Sequence, residues 1–367
     1  MTSLFDAYTF RDGTPDAITA RNRLWIAPMC QYSVEARDGV PTDWHLAHLG
    51  AFAVGGAGLV MTEATAVSPE GRISPQDTGI WDDAQAGAWA RVARFVRSQG
   101  AVAGVQLAHA GRKGSTYSPW GTDRRGSVPV EDGGWEAVAP SALPFEGYAV
   151  PAALDTAGIE KVVADFAAAA HRAVEAGFQV LEVHAAHGYL LHQFLSALSN
   201  ERTDEYGGSL ENRARLLLRV IAAVRDAAPG TPLLLRVSAT DWAPDDLADR
   251  GWDVEQTIEV VRWAAEAGVD LVDVSTGGNL AATRIPVAPG YQVPFAARIR
   301  RETGVAVSAV GMITAGELAQ AVVANGSADA VMVARQALRD PHVALTMARD
   351  LGVQLPYVPP QYERAYQ

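Results

Sequence analysis

The stretch IEKVVADFAAAAHRAVEAGFQVLEVHA (residues 159–185) combines the two patterns that decide the fold. Its first part repeats apolar residues every three to four positions, as an amphipathic helix does, and this pattern closes at Gly177. Its second part, QVLEVHA (residues 179–185), is a short aliphatic and β-branched run that predicts a buried strand. The stretch therefore predicts a helix followed by a strand, the repeating unit of α/β proteins.

The same alternation recurs along most of the chain, without a linker-like break. Eight strand-like runs cover residues 23–29, 58–64, 102–108, 179–185, 232–238, 269–275, 305–310 and 328–334. Eight strand–helix units in succession predict one α/β domain over residues 1–367, a (β/α)₈ TIM barrel. A doubly wound sheet fits less well, because the first strand ends in APMCQYS and lacks the Gly-rich turn of a dinucleotide-binding fold.

Two segments lie outside this alternation. Residues 1–22 predict a short N-terminal hairpin that closes the bottom of the barrel. Residues 110–157 are rich in Gly, Pro and Trp and predict a long loop after the third strand. A loop of that length in a compact domain is usually functional, and this one leaves from the end where barrel active sites lie.

Charge and composition exclude several classes of partner. The 367 residues carry a formal net charge of −12, which disfavours nucleic acids and anionic membrane surfaces. No apolar run reaches the roughly 18 residues of a membrane-spanning helix, and the N-terminal residues lack the apolar core of a signal peptide. The single cysteine, Cys30, excludes an internal disulfide. We therefore expect a cytoplasmic protein that binds neither nucleic acid nor membrane.

Lysine is almost absent, which bears on one class of enzyme. Lys113 and Lys161 are the only lysines among 30 basic residues. A Schiff-base enzyme needs a lysine that points into its pocket. Neither lysine lies on a strand-like run, so the sequence argues against that chemistry.

The carboxyl ends of the strands, where barrel enzymes carry their chemistry, are polar in this chain. The residues at these ends are Pro28, Met29, Cys30, Glu63, Ala64, Gln106, His184, His187, Arg236, Ser275, Gly311 and Arg335. Glu182 shares one face of the fourth strand with His184. If Glu182 and Arg236 both point inward they need partners, because an isolated buried ion is unfavourable by several kcal/mol. A structural Glu182–Arg236 ion pair would explain both residues.

His184 and His187 are three residues apart, and two functions fit them. As zinc ligands they would need a third His or carboxylate, yet no His-x-His pair follows the first strand and no Asp closes the eighth. As hydrogen-bond donors they would converge on one substrate oxygen, because we expect the chain to turn helical after the strand. Such donors stabilise negative charge on a carbonyl oxygen, and Tyr189 offers a phenol that could deliver a proton.

A phosphate site is indicated on the opposite side of this carboxyl-end rim, where the seventh and eighth strands end. Gly311 ends the seventh strand in VSAVGMIT, and Arg335 ends the eighth in VMVARQAL. Backbone N–H groups after the seventh strand and an arginine after the eighth form the usual phosphate seat of TIM barrels. A phosphorylated ligand or cofactor is therefore predicted. A non-catalytic barrel that binds such a ligand and a metal-dependent hydrolase both remain open at this point.

Several motifs together resemble one known family. APMCQYS, VQLAHAGRK, LLRVSATD, GMIT, QYER and above all residues 182–213 are similar to the old yellow enzyme family, with the features of its thermophilic-like branch. The resemblance runs from about residue 4 to the C-terminus. It implies an FMN-dependent NADPH dehydrogenase, or ene-reductase, that takes hydride from NADPH or NADH. Its substrate would be a small electrophilic alkene, an α,β-unsaturated carbonyl or nitro compound.

The resemblance also implies which residues hold the cofactor. Those that would bind FMN are Ala27, Pro28, Met29, Cys30, Ala64, Gln106, Arg236, Gly311, Ala334 and Arg335. Cys30 would adjoin the flavin and tune its redox behaviour. Ala334 departs from the family pattern, in which glycine commonly precedes the phosphate arginine. This difference is expected to shift the approach of the backbone slightly.

The same resemblance assigns the substrate pocket. His184 and His187 would bind the substrate oxygen, Tyr32 would lie in the same pocket, and Tyr189 would donate the proton. In the thermophilic-like branch the arginine of the terminal motif reaches the neighbouring subunit's active site. Here that residue is Arg364, which predicts a homodimer or a dimer of dimers with Arg364 shared across the interface.

Overall fold

The computed structural model describes residues 2–366. The strands of this part are β1 (Tyr8–Phe10), β2 (Ile18–Ala20), β3 (Leu24–Ile26), β4 (Leu59–Ala66), β5 (Val102–Ala108), β6 (Val138–Ala139), β7 (Ala152–Ala153), β8 (Val180–Ala185), β9 (Leu233–Ser238), β10 (Leu271–Ser275), β11 (Ala306–Ala309) and β12 (Ala330–Val333). β3, β4, β5, β8, β9, β10, β11 and β12 close into one parallel barrel. The predicted TIM barrel is confirmed, and each strand-like run coincides with one of its strands, although β4 extends two residues past the predicted run, to Ala66.

Helices follow the barrel strands on the outside. They are α1 (Asp43–Val54), α2 (Asp83–Ser98), α3 (Thr156–Glu175), α4 (Leu190–Leu195), α5 (Leu210–Ala227), α6 (Val254–Glu266), α7 (Val293–Thr303), α8 (Gly316–Ala324), α9 (Arg335–Arg339) and α10 (Val343–Asp350). The side chains of Asp82, Asp155, Ser209 and Asp253 cap α2, α3, α5 and α6 by accepting a first-turn N–H. Each such cap is worth about 1 kcal/mol.

The barrel strands separate two apolar cores. In β3, Leu24 and Ile26 face the helices, whereas Trp25 points inward between them. The antiparallel hairpin of β1 and β2 brings Phe10 against Trp25, with ring centroids 5.2 Å apart, and Tyr8 packs beside them. The predicted N-terminal hairpin is confirmed, and its aromatic residues cover one end of the inner core.

The predicted long loop lies between β5 and α3. It contains short 3-10 turns and the two-residue parallel pair of β6 and β7. Near its start, Arg112 donates hydrogen bonds to the carbonyl and the side-chain oxygen of Asn279, at 2.8 and 3.0 Å. Because Asn279 follows β10, this contact ties the loop to the carboxyl end of the barrel.

None of the helices in residues 2–366 is both long enough and apolar enough to cross a bilayer.

Candidate active site

The two histidines meet at the carboxyl end of β8. His184 Nε2 and His187 Nδ1 are 3.4 Å apart, and the backbone N–H of His187 donates to Ser238 Oγ at 2.9 Å. The expected reason for this convergence was wrong, because α4 does not begin until Leu190. His187 instead adopts a left-handed backbone with φ of 58°, and that turn folds its ring back toward His184.

Both imidazoles are neutral at physiological pH. Burial lowers the pKa of His184 and of His187 well below the ordinary value, and the positive charge of Arg236 lowers it further. Among residues 2–366 no group of three or more His, Cys, Asp or Glu side chains is arranged to hold a metal ion. The pair is therefore suited to donating neutral hydrogen bonds to an oxygen.

Tyr189 adjoins this pair. Its ring centroid lies 5.0 Å from that of His184, in an edge-on arrangement. Together with Cys30 and Tyr32 it packs against Ala64, Ile73, Ala108 and Ala110. Burial raises the pKa of the Tyr189 phenol and of the Cys30 thiol well above their ordinary values, so both groups keep their protons at neutral pH.

A buried contact between Glu63 and His45 fixes the loop that carries Cys30 and Tyr32. The backbone N–H of Gln31 donates to Glu63 Oε2 at 2.9 Å, and the other oxygen of Glu63 lies 3.0 Å from His45 Nε2. Tyr32 has a left-handed backbone with φ of 48°. Such a conformation persists in a non-glycine residue only where its surroundings enforce it. Sequence analysis placed Glu63 at the rim but missed His45, which lies on α1.

Lys113 is a pocket residue that sequence analysis missed. Its Nζ donates to the carbonyl oxygens of His187 and Gly278, both at 2.9 Å, and lies 5.1 Å from the centre of the Tyr189 ring. Burial lowers the pKa of Lys113 to about 8, and the charge of Arg112 adds to this effect. The lysine reaches the pocket from the loop after β5. Sequence analysis asked only whether a lysine lies on a strand-like run, and that criterion could not detect it.

Inside the barrel, the expected Glu182–Arg236 pair is wrong. Arg236 Nε lies 2.8 Å from Asp273 Oδ2, whereas Glu182 Oε1 accepts a hydrogen bond from Gln106 Nε2 at 2.7 Å. The register explains the difference, because Arg236 is directly opposite Asp273 in the β9–β10 pairing. Ser308 Oγ also donates to Asp273, at 2.8 Å. Arg236 is thereby held between the histidines and the rim of β11 and β12.

Replacing Glu182 by glutamine is expected to stabilise the protein increasingly as pH rises. Burial and the charge of Asp273 raise the pKa of Glu182 to about 8. The folded state therefore holds a proton that the unfolded chain releases near pH ~4.3, and stability falls as pH rises between these values. Glutamine keeps an oxygen for Gln106 and does not titrate.

The measurement is the Tm of both proteins from about pH 5 to about pH 9. The advantage of Glu182→Gln should grow up to about pH 8 and then level off. Glu205→Gln, at an exposed residue of the loop before α5, is the matched control and should show no such trend. A pH-independent difference for Glu182→Gln would contradict the assignment.

A cavity of about 240 Å³ lies beside Arg236 at the ends of β11 and β12. Of the described residues that line it, three are arginines and none is acidic; the arginines are Arg236, Arg335 and Arg339. Gly311 also lines it, with φ of 125°, a conformation open only to glycine. The cavity thus brings Arg236 together with Gly311, Ala334 and Arg335, and its charge fits a phosphate-bearing group such as FMN.

Comparisons with known proteins show the family to which the chain belongs. The sequence pattern of the NADH:flavin oxidoreductase / NADH oxidase family matches residues 14–354. The chain is 47% identical to the NADPH dehydrogenase of Listeria innocua over 367 residues, which cover 100% of both chains. The chain belongs to the NADH:flavin oxidoreductase family.

Solved structures of this family superpose on the barrel. Morphinone reductase matches with a TM-score of 0.75 and 29% identity, over 98% of this chain and 92% of that one. An old yellow enzyme homologue from Zymomonas mobilis matches with a TM-score of 0.76 and 28% identity, over 100% and 99% of the two chains. Family membership confirms the resemblance to old yellow enzymes and the prediction of an FMN-dependent oxidoreductase that uses a nicotinamide coenzyme.

In this member of the flavin oxidoreductase family, Arg364 lies apart from the chain's own pocket. It is exposed, in the C-terminal 3-10 helix Pro360–Ala365. A separate groove of about 1050 Å³ opens beside Tyr32 and runs between the start of α1 and the loop after β5. Exposed aromatic side chains line it, Trp44 at 54% and Trp120 at 51% accessible, and sequence analysis gave no sign of this groove.

Proposed function

We propose that this enzyme reduces the activated C=C bond of α,β-unsaturated carbonyl or nitro compounds, with NADPH or NADH as hydride donor. His184 and His187 hold the substrate oxygen, and Tyr189 delivers a proton to the α-carbon. The observation that carries the proposal is the arrangement of two neutral imidazoles, 3.4 Å apart, beside a phenol that keeps its proton. Neutral donors so placed stabilise negative charge on an oxygen without first giving up a proton.

FMN supplies the hydride-transfer chemistry when it is bound. In our proposal Ala27, Pro28, Met29, Cys30, Ala64, Gln106 and Arg236 hold its ring, and Gly311, Ala334 and Arg335 hold its phosphate. The charge of the cavity between β11 and β12 supports the second set, because three arginines and no acidic residue line it in the described chain. The ion pair with Asp273 supports a fixed position for Arg236 beside the ring.

Arg335→Gln is expected to weaken FMN binding by roughly tenfold to a hundredfold, because a charge-assisted hydrogen bond contributes about 1.5–3 kcal/mol. Riboflavin, which lacks the phosphate, should bind the parent and the variant equally well. Fluorescence titration of the flavin-free protein measures both affinities. Arg301→Gln, a surface arginine of α7 paired with Glu302, is the matched control. An equal loss of FMN and riboflavin affinity would remove Arg335 from the phosphate site.

The remaining pocket residues act on substrate position. Tyr32, Tyr189 and Cys30 pack against one apolar cluster and form the apolar side of the pocket. The two histidines form its polar side. A flat unsaturated substrate would pack against the apolar side with its oxygen toward the histidines. Lys113 holds the carbonyl of His187 at 2.9 Å and so keeps the left-handed turn in place. Cys30 stays a neutral thiol and contributes size and polarisability rather than charge.

We further propose a homodimer or a dimer of dimers in which Arg364 of one subunit enters the active site of its neighbour. Three observations support this. Arg364 is exposed and lines neither the groove beside Tyr32 nor the arginine-rich cavity of its own subunit. The groove beside Tyr32 carries two exposed tryptophans, and such residues are enriched at protein interfaces. The same groove is lined by the exposed carboxylate of Glu35, which suits an arginine, while its second carboxylate, Asp132, already pairs with Arg124 of the groove. A cytoplasmic location is proposed as well, since Cys30 is a free thiol.

Subunit mixing tests the shared arginine. Arg364→Ala and His184→Ala are each expected to lower activity, and mixing the two variants under exchange conditions should restore part of it. In a mixed dimer, one site combines an intact His184 with the Arg364 of the neighbouring subunit. If each arginine served its own subunit, both sites of the mixed dimer would stay defective and activity would not return. Sedimentation analysis of each variant confirms that exchange partners still assemble.

A further inference from the structure

We infer that Ser275 is a positioning residue that sets which ring nitrogen of His187 carries the proton. It would thereby make His187 face the substrate oxygen as a hydrogen-bond donor. The inference rests on the proposed function, in which the two histidines hold that oxygen. Ser275 ends β10, is buried, and its Oγ lies 2.7 Å from His187 Nε2.

The tautomer of His184 is fixed by its own backbone surroundings. Its Nδ1 accepts a hydrogen bond from the backbone N–H of Ala186, at 3.3 Å. A neutral imidazole has one protonated nitrogen, so the proton of His184 lies on Nε2. That nitrogen is the one that faces His187. The Nε2–H of His184 can therefore donate a hydrogen bond to an oxygen bound between the two rings.

The His187 proton depends on what occupies the site. With no substrate oxygen present, His187 Nδ1 accepts from His184 Nε2 and the proton of His187 lies on Nε2; a substrate oxygen that takes the His184 hydrogen bond frees Nδ1 to carry the proton instead. His187 Nδ1 faces His184, and His187 Nε2 faces Ser275. Because the ring is neutral, a proton on Nε2 leaves Nδ1 as an acceptor, which a substrate oxygen would repel. A proton on Nδ1 gives the second donor, and Nε2 must then accept a hydrogen bond. Among the described residues, Ser275 is the one whose side chain lies within hydrogen-bond distance of that nitrogen.

The surroundings of Ser275 permit it to donate in this direction. Its hydroxyl has a second acceptor within reach, Gln292 Oε1, at the longer distance of 3.3 Å. That oxygen already accepts from Thr276 Oγ1 at 2.8 Å. Rotating the Gln292 amide by 180° would break a second hydrogen bond, because its Nε2 donates to the Val310 carbonyl at 2.9 Å. Gln292 Oε1 therefore keeps the hydrogen bond from Thr276 when the Ser275 hydroxyl rotates to donate to His187. The hydroxyl can make this rotation when a substrate oxygen binds.

The direct test is the protonation of His187 in the flavin-loaded enzyme with phenol bound. Two-bond ¹H–¹⁵N correlation spectra of protein labelled at histidine report which nitrogen carries the proton. The proton is expected on Nδ1, with Nε2 as a hydrogen-bond acceptor. A proton on Nε2 in the phenol complex would overturn the inference. This measurement needs no variant and therefore does not depend on a substitution that folds.

Variants separate the role of Ser275 from general packing. Ser275→Ala is expected to weaken phenol binding by roughly fivefold to a hundredfold, because His187 Nε2 is left buried and unpaired. Ser275→Thr keeps the hydroxyl and should restore binding. Ser238→Ala is the matched control on the neighbouring strand. It removes the acceptor of the His187 backbone N–H, so it should leave the proton on Nδ1 in the phenol complex.

His187→Ala distinguishes failure of this inference from failure of the proposed function. If His187→Ala loses phenol binding while Ser275→Ala binds phenol as the parent does, the histidine pair holds the oxygen but Ser275 does not set it. If neither variant changes phenol binding, the histidine pair does not hold the oxygen at all. Both results would overturn the role of Ser275, and only the second also removes the proposed function.

Discussion

Replacing His184 by alanine is expected to lower the rate of enone reduction by about 10²–10³-fold, the usual effect of removing one donor to a developing oxyanion. His184 Nε2 carries the proton that points into the pair, so its loss leaves the substrate oxygen with His187 alone. FMN should stay bound, because His184 is not among the residues that line the arginine-rich cavity. The measurement is the rate at which an enone reoxidises the reduced enzyme, followed by stopped flow.

The matched control for this variant is His171→Ala. His171 is exposed on α3, where it pairs with Glu175 on the surface, so its removal should leave the enone rate close to that of the parent. The absorption spectrum of each purified variant shows whether flavin is still bound. An unchanged enone rate in His184→Ala with flavin present would remove the role of the histidine pair.

Replacing Tyr189 by phenylalanine is expected to slow the same enone step by about 10²–10⁴-fold, the range that general acid catalysis contributes. The phenol is buried, keeps its proton at neutral pH and lies beside His184, whereas phenylalanine fills the same space without a proton to give. Reduction of the enzyme by NADPH transfers a hydride and needs no proton from this residue. That rate should stay close to the parent value.

Stopped flow measures both rates on one preparation. Tyr148→Phe is the matched control, since Tyr148 is a neighbouring half-buried phenol of the loop after β5. The control should leave both rates near those of the parent. Equal slowing of the NADPH and enone rates in Tyr189→Phe would contradict a proton-donor role and indicate a general disturbance of the pocket.

Local patterns predicted the fold because the barrel repeats one local unit. Most strand-like runs are buried aliphatic stretches with an amphipathic helix next along the chain, and each of these patterns can be recognised within about 20 residues. The N-terminal hairpin was also predicted. In the structure its aromatic residues pack against Trp25. The polar strand ends correctly indicated the rim that carries the site, since the carboxyl ends of all parallel strands in a barrel lie at one rim.

Contacts between distant segments could not be predicted in this way. The partner of Arg236 depends on the register between β9 and β10, which places Asp273 opposite it and leaves Glu182 to Gln106. No pattern along one strand carries that register. Lys113 was missed for a related reason, because an irregular loop brings it to His187 from outside the barrel.

The histidine pair illustrates a correct site with a wrong local reason. Spacing of three residues suggested a helical turn, yet the chain makes a tight left-handed turn at His187 instead. That turn is held by Ser238, by Lys113 and by the loop after β10. Backbone strain at a non-glycine residue is enforced by its surroundings. It is therefore visible only once those surroundings are assembled.

The most direct test of the central claim is an absorption spectrum of the purified protein before and after addition of phenol. We expect flavin bands, and a new long-wavelength charge-transfer band when phenol binds over the flavin with its oxygen on His184 and His187. The new band should be lost in His184→Ala. Flavin bands that do not respond to phenol in the parent protein would contradict the role of the histidine pair.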